Sequence, residues 1–351
     1  MTQTEAQPDE VEQDLLRRIW FPVARVEDVE RRPVAAKILD TELVCYRVDG
    51  ITTVAQGRCP HRGMALWKGA IRDSRLECPY HGWLFDAGTG NCSEIPSLAE
   101  PGGLPNVALR TFPATEAYGH VWSCLNEPYL PFPEMVGYGA PGWQYAFGEP
   151  CDIACGMRQL TENFRDMAHF PFVHTGTMGP HVRREVDRYE IQRAAAWDLE
   201  WTLTTDLGGT ALDGHEALAG RQTLAYRVSL PMVAYVRTSF PEGGGRFVAQ
   251  FATPINAQRT QVRQFWVVGI DETVVGPHGV SLPEMWRYEK AIFEEDYPIV
   301  ENQLPAESPL DVHSQAHTRA DRYSIAYRRI YQELLHQYAS DRISAGGSHC
   351  P

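Results

Sequence analysis

Two stretches of the chain concentrate side chains able to bind metal. In "CPHRGMALWKGAIRDSRLECPYHGW" the order is Cys59, one residue, His61, sixteen residues, Cys78, two residues and His81. Two thiolates and two imidazoles suit either one tetrahedral zinc or a two-iron cluster. Each pair is followed within two residues by a glycine, Gly63 or Gly82, which lets two loops close on a shared centre. Structural zinc sites more often pair cysteine with cysteine, so the order leans toward iron without excluding zinc.

The second stretch, "LTENFRDMAHFPFVH", spaces Asn163, Asp166 and His169 by three residues. That places them on one side of a helix expected over about 157–169. His174 would point elsewhere on an unbroken helix. Pro171 is expected to break the turn at Phe170 and let His174 swing back toward His169. Two histidines alone fit a pair of core imidazoles equally well. A third candidate comes from "SLPEMWRYEKAIFEEDYPIVENQL", where Ser281 reads as an N-cap with Pro283 and Glu284 behind it. Its apolar stripe of Met285, Tyr288, Ile292 and Ile299 has Asp296 in a core slot. A buried carboxylate needs a cation, either a metal or a buried Arg or Lys. With a metal, two His and one carboxylate form the facial triad of non-heme Fe(II) oxygenases, which leaves positions for O2 and substrate. Glu295 lies off the stripe and is the lesser candidate.

The first stretch resembles the 2Fe-2S motif of Rieske proteins, Cys-x-His followed by Cys-x-x-His. The resemblance implies that Cys59 and Cys78 hold one iron of a 2Fe-2S cluster, and His61 and His81 the other. Rieske proteins of respiratory complexes carry a further cysteine in each loop. Met64 and Tyr80 stand at those places here, which favours the oxygenase branch. The second stretch resembles the mononuclear iron motif of Rieske oxygenases, and "FEEDYPIVENQ" resembles the segment carrying their aspartate ligand. The resemblance implies Fe(II) held by His169, His174 and Asp296. It implies Asp166 as a bridging carboxylate, and Asn163 as a residue near the iron of less settled role. It further implies a terminal oxygenase fed by a separate NAD(P)H-dependent reductase and possibly a ferredoxin, acting on a small organic substrate as a homotrimer. Among the family, single-subunit O- and N-demethylases look most similar. A cis-dihydroxylating dioxygenase and a plain Rieske electron carrier are the alternatives.

These residues need elements to position them. Short runs rich in β-formers from about 34 to 126 read as a small all-β domain. Five prolines and four glycines between 128 and 150 read as a linker. Long strands are expected at 222–240 and 246–269, with helices at about 283–303 and 320–338. The fold class is therefore α+β. By the resemblance it is an all-β Rieske domain followed by an antiparallel-sheet helix-grip (START-like) catalytic domain. The expected organisation is an N-terminal tail and helix (1–19), the Rieske domain (20–130), a linker (131–150), the catalytic domain (151–338) and a disordered tail (339–351). The amphipathic "VEQDLLRRIWFPV" is expected to be helical up to Pro22.

Bulk properties exclude some partners. A net charge of -13 argues against nucleic acid, and no apolar run has a membrane-spanning length. The polar, acidic N-terminus lacks the pattern of a signal peptide, so a cytoplasmic protein with reduced thiols is expected. Cys45, Cys92, Cys124, Cys151, Cys155 and Cys350 have no metal-binding pattern and read as packing or surface thiols. The glycine-rich "LGGTALDGHEALAG" reads as a loop beside the pocket. No dinucleotide fingerprint follows a strand. The basic residues Arg58, Arg62, Lys68, Arg72 and Arg75 outnumber Asp73, Glu77 and Asp86 around the first stretch, a face suited to an acidic electron donor.

Overall fold

A computed structural model describes residues 8–98, 104–178, 182–207, 220–240, 243–271 and 279–346. The glycine-rich loop, the first seven residues and Cys350 lie outside them. The chain divides into two compact units, Gln13–Phe132 with Thr253–Gln258, and the remainder.

The first unit is built from short antiparallel strands. One sheet runs β1-β11-β10, from β1 (Phe21–Arg25), β10 (Ala114–Ala117) and β11 (His120–Ser123). A second runs β2-β3-β4-β9, from β2 (Val34–Ile38), β3 (Thr41–Val48), β4 (Ile51–Gln56) and β9 (Thr111–Phe112). A third joins β5 (Ala70–Arg72), β6 (Arg75–Glu77), β7 (Leu84–Asp86) and β8 (Cys92–Glu94) in sequence order. Tight turns set the registers. Asp49 and Gly50 have φ of 49° and 80°, the two positive angles that a two-residue hairpin turn demands. The helix α1 (Pro8–Leu16) stops earlier than expected. Pro22 lies instead within β1, where the pairing with β11 is irregular between Pro22 and Ala24, as a residue with no N–H to donate requires.

The second unit centres on one eight-stranded antiparallel sheet. Its path is β12-β19-β18-β17-β16-β15-β14, with β13 also pairing β19. The strands are β12 (Trp143–Phe147), β13 (Cys151–Ile153), β14 (Ile191–Ala195), β15 (Asp198–Leu207), β16 (Gly220–Ser229), β17 (Val233–Ser239), β18 (Gly245–Pro254) and β19 (Val262–Asp271). The two long strands expected from sequence are four, because the chain turns at Pro231 and again after Pro254. β12 lies in the stretch read as linker and pairs with β19 along five residues. Helices complete the α+β architecture: α2 (Val26–Val29) in the first unit, and α3 (Met157–Asn163), α4 (Phe170–Val173), α5 (Leu282–Val300) and α6 (Arg322–Gly346) in the second. α6 continues through 339–346, which were expected to begin a tail.

α5 starts as its sequence dictates. The Ser281 N–H donates to Glu284 Oε2 at 2.8 Å, and the Ser281 hydroxyl donates to the same oxygen at 2.6 Å, while Glu284 N donates back to Ser281 O at 3.1 Å, within a capping box. Its buried face is Met285, Glu289, Ile292, Phe293, Asp296 and Val300. Asp296 is therefore inward, as its slot implied. The stripe itself is rotated from the expected one: Ile299 is 39% exposed, and the charged Glu289 takes an inward position.

Candidate metal centres

In the first unit, Cys59 follows β4 and Cys78 follows β6. The two loops share one backbone pattern. Gly63 N donates to Cys59 O at 2.9 Å and Cys59 N to Met64 O at 2.8 Å; Gly82 N donates to Cys78 O at 3.0 Å and Cys78 N to Trp83 O at 2.8 Å. Both glycines have left-handed φ, 69° and 70°, where a side chain is strained. The thiols are 3% and 2% exposed and pack in the core beside Leu66 and Phe85. His61 and His81 lie at the surface with ring centroids 4.6 Å apart, and Trp83 stacks on His61 with 6° between planes.

This segregation, thiols inside and imidazoles outside, suits a cluster whose two irons have different ligands. Burial chiefly, with Cys78 adding to it, raises the Cys59 thiol to about 11, so a thiolate there needs a cation. Desolvation, then His81 and Arg62, lowers the His61 pKa and favours the neutral, ligating imidazole. Cys45, Cys92, Cys124 and Cys155 are buried free thiols, and Cys151 is half-buried.

In the second unit, His169, His174 and Asp296 present ligand atoms within 4.8 Å of one another. His169 Nε2 lies 3.0 Å from His174 Nε2, and Asp296 Oδ1 is 3.3 Å from the former and 3.4 Å from the latter. His174 is fully buried and Asp296 is 6% exposed. The local route differs from the expected one. α3 ends at Asn163, and Asn163, Asp166 and His169 do not share one helical face. His169 and His174 instead bracket the single turn α4, with Pro171 in its first turn. Proline begins this helix rather than breaking one, because the amide it lacks has no partner in a first turn anyway. Val173 N bonds His169 O at 2.9 Å and His174 N bonds Phe170 O at 3.1 Å, which brings both rings to one side.

Three polar neighbours orient this set. Asn163 Nδ2 donates to Asp296 Oδ1 at 3.3 Å. Asp166 Oδ2 lies 3.3 Å from His169 Nδ1, within ion-pair reach but outside hydrogen-bond alignment, while its other oxygen accepts from Ala168 N. Glu295 Oε2 accepts from His174 Nδ1 at 2.8 Å and from Thr177 Oγ1 at 2.7 Å. Glu295 stands outside the converging set of His169, His174 and Asp296, and sequence reasoning missed its contact with His174. Adjacency to Asp296 on α5 was the available signal. Burial alone would depress His169, but Asp166 and Asp296 outweigh it and raise the pKa to about 9. The donor set fits Fe(II).

A cavity of about 50 Å³ adjoins the three residues. Its wall is largely apolar, including Phe164, Phe170, Leu224, Val248 and Phe293, and comes from the α3–α4 segment, the strands β16 to β18 and α5. A groove of about 640 Å³ is larger. It uses the alternate residues of the sheet, such as Ala225 and Arg227, and so opens mainly on the opposite face. It contains no metal-binding cluster among the described residues. The smaller cavity is the one with the chemistry.

Of the basic residues around the first loops, Arg58 pairs with Glu42, Arg72 with Glu77, and Arg75 with Glu94. Arg62 and Lys68 make no ion pair among the described residues.

Comparison with known proteins agrees with this chemistry. Residues 19–113 match the Rieske 2Fe-2S domain. Residues 153–337 match the vanillate O-demethylase oxygenase C-terminal domain. Methylxanthine N1-demethylase NdmA of Pseudomonas putida is 25% identical over 339 residues, covering 92% of this chain and 90% of that one. The dicamba O-demethylase oxygenase component of Stenotrophomonas maltophilia is 33% identical over 166 residues, 45% of this chain and 48% of that one. The structure of NdmA from Pseudomonas putida CBB5 with caffeine superposes with a TM-score of 0.79 at 25% identity, over 93% of each chain. Both halves match in order, so a stand-alone electron carrier does not describe this chain.

Proposed function

The chain belongs to the Rieske non-heme iron oxygenases, and from that premise we propose that it is an O- or N-demethylase of a small aromatic or heterocyclic compound. The observation that carries this reading is the convergence of His169, His174 and Asp296 beside an apolar cavity, in a chain whose relatives include demethylases of both kinds.

In this reading Cys59, His61, Cys78 and His81 hold the cluster, and His169, His174 and Asp296 hold the iron. Bound, the cluster supplies single electrons, and the iron supplies an open position for dioxygen. The remaining work falls to the chain. Glu295 accepts a hydrogen bond from the Nδ1–H of His174, which keeps the proton on Nδ1 and leaves Nε2 with its lone pair on the side of Asp296. Asn163 restrains one Asp296 oxygen, and Asp166 sits against the far nitrogen of His169. The apolar wall excludes water beside the metal ligands and suits an apolar methyl-bearing part of a substrate. Hydroxylation of a methyl on oxygen or nitrogen gives a hemiacetal or carbinolamine. That adduct breaks its C–O or C–N bond to release formaldehyde.

Electrons come from a separate NAD(P)H-dependent reductase, with or without a ferredoxin, which docks over Arg62 and Lys68. The protein works as a homotrimer in the cytoplasm. The test supplies methoxy- and N-methyl-aromatics, a generic reductase and labelled dioxygen. Formaldehyde with one labelled oxygen atom per turnover is expected; two labelled atoms in a ring diol would overturn the reading.

A further inference from the structure

The apolar cavity beside the candidate ligands contains one strongly polar feature that the reaction does not use. Arg246 from β18 and Glu289 from α5 both line it. Both are buried, Arg246 at 9% exposure and Glu289 at 4%. Arg246 Nη1 donates to Glu289 Oε1 at 2.7 Å and Nη2 to Thr238 Oγ1 at 3.3 Å. A guanidinium carries donors on all three nitrogens, and Arg246 Nε is buried with no hydrogen-bond partner among the described residues. The guanidinium also meets the Tyr288 side chain, but the wall around it, with Leu224, Val236, Val248 and Ile292, leaves Nε without an acceptor among the described residues. A buried donor left unpaired is costly, and a ligand that brings an acceptor removes that cost. Glu289 already balances the positive charge and would repel a second anion. The missing acceptor is therefore a neutral oxygen.

We propose that Arg246, braced by Glu289, determines specificity in this cavity by selecting a largely apolar ring compound with one neutral carbonyl-type oxygen. This rests on the demethylase reading for the reaction, but not for the binding preference. A merely structural ion pair tying α5 to β18 would support the fold without distinguishing between ligands.

Binding to the iron-loaded full chain, measured by titration calorimetry, separates these roles. The probes are 4-methoxyacetophenone, 4-ethylanisole, which has the same outline without the carbonyl, and 4-methoxybenzoate. The ketone is expected to bind about tenfold or more tighter than 4-ethylanisole, and tighter than the benzoate. Arg246→Lys keeps the charge but lacks Nε and is expected to lose most of that ratio. The double variant Arg246→Met with Glu289→Met leaves no lone buried charge, and its fold is checked by thermal unfolding. Its ketone-to-ethylanisole ratio is expected to fall to about one. A wild-type chain without ketone preference, a double variant that keeps it, or tightest binding of the benzoate overturns the proposal. Formaldehyde release from the same samples reports on the reaction separately. Preference without formaldehyde sinks the demethylase reading and leaves the specificity assignment; formaldehyde without preference does the reverse.

Discussion

His174 shows how a candidate ligand can be aimed by a neighbouring side chain. Its Nδ1 bonds Glu295 at 2.8 Å, which fixes the tautomer and points Nε2 at Asp296. Removing that acceptor by Glu295→Ala is expected to weaken iron binding about 10- to 100-fold, read by competition with a chelator. His169→Ala is expected to lose the mononuclear iron, about one third of total iron, with acid-labile sulfide unchanged. Loss of sulfide as well would mean that the two centres are not independent. The glycines of the cluster loops make a second comparison at this scale. Gly63 and Gly82 have the same φ, but a Cβ at Gly63 would meet nothing within 4 Å, whereas one at Gly82 would lie 3.1 Å from Pro96 Cγ. Alanine at either position is expected to cost about 1 kcal/mol from the left-handed backbone alone. Gly82→Ala is expected to cost more, as calorimetry would show.

Elements turn these local facts into a site. α5 carries Glu289, Glu295 and Asp296 on adjacent parts of its surface, and its start is fixed by the Ser281–Glu284 cap. Ser281→Ala is expected to cost about 1 kcal/mol, seen as a lower denaturant midpoint at an unchanged slope. α4 is a single turn, too short to be stable by itself. Its place is held by contacts that the rest of the unit supplies, including that of its C-terminal cap, His174, on Glu295. The cluster loops are the opposite case. Each closes on itself with two backbone hydrogen bonds, and that pattern was legible because cysteine, histidine and glycine repeat in order.

At the scale of the molecule, stability has a pH dependence that a single residue makes readable. His120 in β11 is fully buried, and its Nδ1 lies 2.7 Å from Tyr118 O. Burial lowers its pKa to about 4 from 6.5. The unfolded chain therefore takes up a proton below pH 6.5 that the folded chain refuses until about pH 4. The contribution is fully present above pH 6.5 and is lost as pH falls, by up to about 3 kcal/mol. His120→Asn is expected to flatten that part of the stability–pH curve, measured by chemical denaturation from pH 7 down to pH 4. Electron delivery also belongs to this scale. Arg62→Glu with Lys68→Glu is expected to slow reductase-coupled turnover several-fold at low salt, with cluster reduction by dithionite unchanged. Equal rates for the variant and wild type would remove the docking assignment.

The sequence alone determined what is encoded by adjacency and period. The cluster loops rest on residues at most a few positions apart, and Asp296 stood out because an apolar helical stripe surrounds it. Those signals survive without knowledge of the partner elements. It misread Pro171 as a breaker and Pro22 as a helix stop, because a proline's effect depends on whether its missing N–H would have had a partner. It also passed over β12, whose five residues lie within a proline- and glycine-rich stretch. Only the tertiary structure decided that Glu295 would hold His174, 121 positions away, and that Arg246 would meet Glu289 across 43. Periodicity records that a side chain faces inward but not what it faces, and buried charges break the apolar pattern by which inward faces are recognised.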